Sequence, residues 1–124
     1  MKRKMAAVIA VLLLTAGALA QPGHKRIRFP RGRTTAILKG VLPSVEDVTN
    51  YALTARAGQT MTVHVTSPKD NVRFSVYRHM RERALEGANT VKDWSGELPE
   101  NGDYVIAVVS MQGRASYTLE VTIR

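Results

Sequence analysis

From Lys25 to the C-terminus, apolar side chains fall on every second position, and this constrains the fold most. Alternation with period two puts one side of an extended chain in a core and the other in water, which describes a half-buried β-strand. Ile27 and Phe29 alternate with Arg26 and Arg28, and Pro30-Arg31-Gly32 then reads as a turn. Ala36, Leu38 and Gly40 alternate with Thr35, Ile37 and Lys39, before a break at Leu42-Pro43-Ser44. Tyr51 and Leu53 share a face of the next segment, which Ala57-Gly58-Gln59 closes. Thr60–Thr66 is the clearest strand, with Met61, Val63 and Val65 opposed to Thr62, His64 and Thr66. Ser67-Pro68-Lys69-Asp70-Asn71 is turn chemistry. Val72, Phe74 and Val76 resume the alternation, as do Tyr104, Ile106 and Val108 after the turn Pro99–Asp103. Tyr117, Leu119, Val121 and Ile123 make the last strand.

Only His79 to Val91 departs from this pattern. Met80, Ala84 and Leu85 allow one helical turn there, in what is otherwise the longest loop. The expected fold is all-β: an antiparallel, jelly-roll-like β-sandwich of seven or eight short strands. No stretch supplies the crossover helices that a parallel α/β sheet needs on its faces.

Residues 1–20 carry a separate signal. Lys2, Arg3 and Lys4 precede the apolar run Ala6–Leu14, and Ala18-Leu19-Ala20 has the small-x-small form that a signal peptidase reads. Cleavage before Gln21 is therefore expected. It would leave residues 21–124 as one exported domain, periplasmic or secreted, without stable membrane insertion. The chain contains no cysteine, so neither a lipid anchor nor a disulfide is available to it, and core burial must hold the domain together.

The net charge of +8 is unevenly placed. Three of the 18 basic residues lie in the leader, and six more precede the first acid, Glu46. From Val41 onward nine basic residues face ten acidic ones, so the body is close to neutral. Arg26, Arg28, Arg31 and Arg33 form a candidate anion-binding run for phosphate-bearing envelope polymers. Alternation with Ile27 and Phe29 reads first as a strand with a wet, basic face, and on an edge strand such charges discourage edge-to-edge pairing. Without stacking aromatics along the run, nucleic acid is not an expected partner.

Little in the sequence suggests catalysis. His24, His64 and His79 lack metal-ligand spacing, no Gly-x-Ser-x-Gly elbow occurs, and no metal or cofactor is expected. Glu46 with Asp47, or Glu97 with Glu100, could be imagined as glycosidase carboxylates, but such pairs need a cleft between them, so turn and rim roles are expected. Trp94 reads as core beside Tyr104, with a sugar-stacking platform as the alternative.

The strings Ala57-Gly58-Gln59-Thr60-Met61-Thr62-Val63 and Leu98-Pro99-Glu100-Asn101-Gly102-Asp103-Tyr104 resemble the turn-strand elements of bacterial pre-peptidase C-terminal domains. The spacing from Phe29-Pro30-Arg31-Gly32 through Tyr51 to Tyr117–Val121 is similar to a stand-alone branch of that family, the periplasmic inhibitors of g-type lysozyme. The resemblance implies a β-sandwich whose end loops enter a lysozyme or another cell-wall hydrolase. Of the family's contact residues it carries over Arg114, in the segment Ser110–Ser116. Gln112 and Met111 beside it, and Glu46 in the loop before Tyr51, are the other candidate partner contacts. The alternative it leaves is an accessory module that binds peptidoglycan or polysaccharide without inhibiting anything.

Overall fold

The computed structural model describes residues 24–124. The expected leader and its cleavage point lie outside the described residues. Eight strands follow one another: β1 (His24–Arg26), β2 (Thr35–Leu42), β3 (Val48–Ala55), β4 (Thr60–Thr66), β5 (Val72–Arg78), β6 (Asp93–Glu97), β7 (Gly102–Ser110) and β8 (Ala115–Ile123). They form two four-stranded sheets, ordered β1-β3-β7-β5 and β2-β8-β4-β6. Odd strands lie in one sheet and even strands in the other, so every connection crosses the sandwich.

The alternation explains the burial. Met61, Val63 and Val65 of β4 meet Leu119 and Val121 of β8 on one inner face. Tyr51 and Leu53 of β3, Phe74 and Val76 of β5, and Tyr104, Ile106 and Val108 of β7 supply the other. No described side-chain polar atom in this interior lacks a hydrogen-bond partner. The hydroxyls of Tyr51 and Tyr117 bond to one another at 2.7 Å across the core, and Tyr104 donates to the Glu100 carbonyl at 2.7 Å.

Several features depart from the sequence expectation. The strand read through Ile27 and Phe29 is confined to His24–Arg26, so Arg28, Arg31 and Arg33 lie beyond it in the connection to β2. Leu42, expected in a break, is the buried last residue of β2. β1 pairs with β3 in parallel, through His24↔Asn50 and Arg26↔Ala52. Both strands run the same way because a single strand of the opposite sheet, β2, separates them in the chain. All other pairings are antiparallel, because the segment between β5 and β6 returns part-way along the sandwich before β6 begins.

That returning segment contains no helical turn. Tyr77↔Ala84 and Phe74↔Val91 form isolated bridges, and Val76 donates to the Ala88 carbonyl at 2.9 Å. The exposed edge of β5 offers the loop's backbone ready partners, and a helical turn would leave them unused. The loop thus covers the open edge of one sheet and delivers the chain to the other.

Trp94 sits at that margin. It faces inward with Val63, packs half-buried against the core, and donates from Nε1 to the Glu86 carbonyl at 3.0 Å. Its ring covers Gly96, where a Cβ would collide with it. No helix among the described residues is long and apolar enough to cross a membrane.

Candidate functional site

Three loops meet at one end of the sandwich: residues 43–47 between β2 and β3, 67–71 between β4 and β5, and 111–114 between β7 and β8. The register fixes their proximity, since Leu42 pairs with Ala115 and Val48 with Val109. Glu46, Met111, Gln112 and Arg114, far apart in the chain, therefore project from the same end.

Local chemistry stiffens each loop. In 43–47, the Ser44 hydroxyl accepts from the Glu46 amide at 3.1 Å and donates to the Asp47 carboxylate at 2.8 Å, a serine-nucleated turn. In 111–114, Ser110 Oγ donates to the Gly113 carbonyl at 2.6 Å, and Gly113 takes a φ of 61° that closes the hairpin. Asn71 joins this hairpin to the neighbouring loop. Its Nδ2 donates to the Gln112 carbonyl at 2.9 Å, while its own carbonyl accepts from the Met111 amide at 2.7 Å. Because Asn71 is 8% exposed, these bonds are largely shielded from water and hold the two loops as one unit.

Beside the loops a shallow groove of about 690 Å³ runs between Lys39–Val41, Thr66–Pro68 and Ser116–Thr118. A smaller hollow of about 290 Å³ continues it past Lys69 and Asn71 to Arg114. Val45, Met111 and Val41 are about half exposed here, so apolar surface borders the Arg114 guanidinium. Such a mixture of apolar contact area and cationic side chains, Lys39, Lys69 and Arg114, suits a protein partner better than a small molecule.

Arg26, Arg28, Arg31 and Arg33 do not join this cluster. They lead toward the opposite end, and Arg26 is already committed there. Its guanidinium bonds to Thr54 and approaches the Asp103 carboxylate at 3.4 Å. The hydrogen bond that Thr54 donates at 2.5 Å, with Arg26 beside it, holds the Asp103 carboxyl below the usual carboxylate range.

Among the described residues, the carboxylate and histidine candidates do not converge. No group of three histidine, aspartate or glutamate side chains among the described residues could hold a metal. His64 pairs with Asp93 on the outer face of its sheet, where Glu120 is its neighbour on β8 and no cleft lies between them. Glu100 is bound to Arg78 at 2.8 Å, and Glu46 and Asp47 share one turn instead of facing across a cleft.

Sequence reasoning missed the part played by 67–71. Pro68, Lys69 and Asn71 read only as turn residues, although Asn71 fixes the hairpin. Its spacing from Ser67 signals a local side-chain turn, seen here as the Asn71 amide donating to Ser67 Oγ at 3.0 Å. No local pattern reveals its bond to residue 112.

No family model matches the sequence, and no curated protein matches it. Solved structures do. The fold superposes on the crystal structure of Aeromonas hydrophila PliG, a periplasmic inhibitor of g-type lysozyme, with a TM-score of 0.69 and 29% identity, over 82% of this chain and 96% of that one. Salmonella Typhimurium PliG follows at 0.65 and 18% identity, over 82% and 97% of the two chains. The pre-peptidase C-terminal domain of a Bacillus anthracis collagenase superposes at 0.56 and 13% identity, over 82% and 94%, a likeness of fold alone. The chain is thus similar to the pre-peptidase C-terminal sandwich and to the PliG inhibitors, as its turn-strand motifs imply.

Proposed function

We propose that this chain is a periplasmic binding protein that inhibits g-type lysozyme by presenting the 111–114 hairpin, with 43–47 and 67–71 beside it, to the enzyme's cleft. The observation that carries the reading is the match to Aeromonas hydrophila PliG, which joins 29% identity to coverage of 96% of that inhibitor. The loop end supports it. Cleaving a glycosidic bond calls for carboxyl groups flanking that bond. The Arg114 guanidinium, exposed on a hairpin that Asn71 stiffens, can hold a carboxylate with two parallel hydrogen bonds. Export with cleavage after Ala20 belongs to the same proposal. N-terminal sequencing of the protein from the envelope fraction would then begin at Gln21.

The test is a peptidoglycan lysis assay with g-type lysozyme, using c- and i-type enzymes as comparisons. Protection near one-to-one stoichiometry is expected. Arg114→Ala should weaken it roughly 30-fold, as loss of a binding hot spot does. Glu46→Gln should strengthen it, since a carboxylate beside Arg114 repels an acidic cleft. Absence of protection at large excess overturns the proposal, and co-sedimentation with insoluble peptidoglycan in its place would favour the wall-binding alternative.

A further inference from the structure

The end opposite the hairpins carries a different surface. There Arg31 and Arg33 lie on the turn between β1 and β2, Arg56 follows β3, and Arg81 and Arg83 follow β5. Arg28 stands just before that turn. All six are exposed, and among the described residues none pairs with an acid. Arg28, Arg31 and Arg33 follow one edge strand of the odd-numbered sheet, β1, and Arg81 and Arg83 the other, β5, three strand spacings or roughly 14 Å apart. Arg56 follows β3 between them. The acids of this region are Glu82, Glu97, Glu100 and Asp103. Asp103 is spent on Arg26 and Glu100 on Arg78, which leaves Glu82 and Glu97 against the six arginines. At the hairpin end Asp70 is paired with both Arg73 and Lys92, and Glu46 and Asp47 stand against Lys69 and Arg114, so the excess of positive charge is smaller there. The molecule is therefore charge-polarised along its strands.

A second observation decides what this basic end fits. Met80 stands at the start of the loop after β5 with 85% of its surface exposed, the most exposed large apolar side chain described. A φ of 64°, uncommon for a residue with a β-carbon, sets its backbone. Backbone bonds on either side, His79 to the Asp103 carbonyl at 2.9 Å and Arg81 to the Arg78 carbonyl at 3.0 Å, hold the turn in place. An apolar side chain projecting among arginines is poorly suited to nucleic acid or polysaccharide. It suits a phosphate-bearing bilayer, where guanidiniums meet headgroups and the thioether enters the acyl boundary.

We infer that this end is a peripheral docking surface for an anionic lipid bilayer, with Arg28, Arg31, Arg33, Arg56, Arg81 and Arg83 on the phosphates and Met80 inserted between headgroups. So docked, the protein would face the hairpin end away from the membrane. The inference does not depend on the lysozyme reading.

Its test is co-sedimentation of the protein expected after cleavage, residues 21–124, which contain every described strand of the sandwich. The vesicles are phosphatidylcholine with about one-quarter phosphatidylglycerol, or phosphatidylcholine alone. Binding to the anionic vesicles only is expected, with release near 0.5 M NaCl, where the Debye length falls to about 4 Å. Arg31→Gln with Arg33→Gln should lower the partition coefficient roughly 25-fold, about five-fold per arginine. Met80→Ser should lower it roughly five-fold without changing the salt at which release occurs. Lys69→Gln, at the other end, should leave it unchanged. Failure to sediment with anionic vesicles overturns the inference, as does equal behaviour of the double arginine variant and Lys69→Gln. Tighter binding to duplex DNA, with Met80→Ser indistinguishable from the parent, also overturns it. Lysozyme protection by the double arginine variant separates this outcome from that of the proposed function.

Discussion

Gly40 lies directly opposite Tyr117 in the β2–β8 ladder, and the tyrosine ring occupies the space where a side chain on residue 40 would stand. A Cβ built there falls 2.7 Å from the ring's Cζ and nearer still to its hydroxyl. That is about 0.7 Å inside ordinary carbon–carbon contact. The ring cannot simply swing away, being 4% exposed and tied through its hydroxyl to Tyr51 at 2.7 Å. Gly40→Ala therefore forces overpacking worth about 1–3 kcal/mol and strains or breaks a buried hydrogen bond worth about 1 kcal/mol. Restricting the unfolded chain returns about 0.5–1 kcal/mol. A net loss of about 1–3.5 kcal/mol follows, or a fall in Tm of roughly 5–25 °C for a domain of this size. Urea unfolding should show a lower midpoint at unchanged slope, since the same surface is exposed. In a double-mutant cycle, Gly40→Ala should cost less when Tyr117 is already leucine. Stability of Gly40→Ala within about 0.5 kcal/mol of the parent would refute the idea that the Tyr51–Tyr117 pair rigidly fills this space.

Two further predictions concern pH. Burial, and then the hydrogen bond with Tyr117, raises the Tyr51 hydroxyl well above the ordinary tyrosine range. A raised value stabilises the fold at pH below about 10, and stability should fall as pH climbs further and the unfolded chain ionises. Tyr51→Phe should cost about 1 kcal/mol at neutral pH and flatten that alkaline decline, both read by denaturant titration. The depressed Asp103 carboxyl has the opposite sign: its contribution is present above about pH 4 and is lost as pH falls through its folded value. Asp103→Asn should reduce the slope of the acid limb in thermal melts, modestly because the group is well exposed.

The strands themselves were legible because each writes its own burial into the chain. Thr60–Thr66 has the same bounds in the alternation and in the structure, and the faces expected for residues 35–40 and 117–121 are the faces buried, although β2 runs on to Leu42. The loop after β5 was legible only as an exception. Met80, Ala84 and Leu85 have helical spacing, but the open edge of β5, which no local pattern announces, claims the backbone instead. Trp94 was expected in the core beside Tyr104, whereas β6 is an edge strand and leaves the indole half-buried at the margin.

Period two states which side of a strand is wet, since successive side chains must point to opposite faces. Thus the all-β sandwich, its inner residues and the basic bias of the N-terminal segment follow from the sequence alone. Which strand lies beside which depends on contacts between residues distant in the chain, and that only the tertiary structure decided. It made β1 parallel to β3 and bound Asn71 to the 111–114 hairpin. It also brought Glu46 to the end that carries Arg114, and set Arg31 and Arg33 at the same end as Arg81 and Met80.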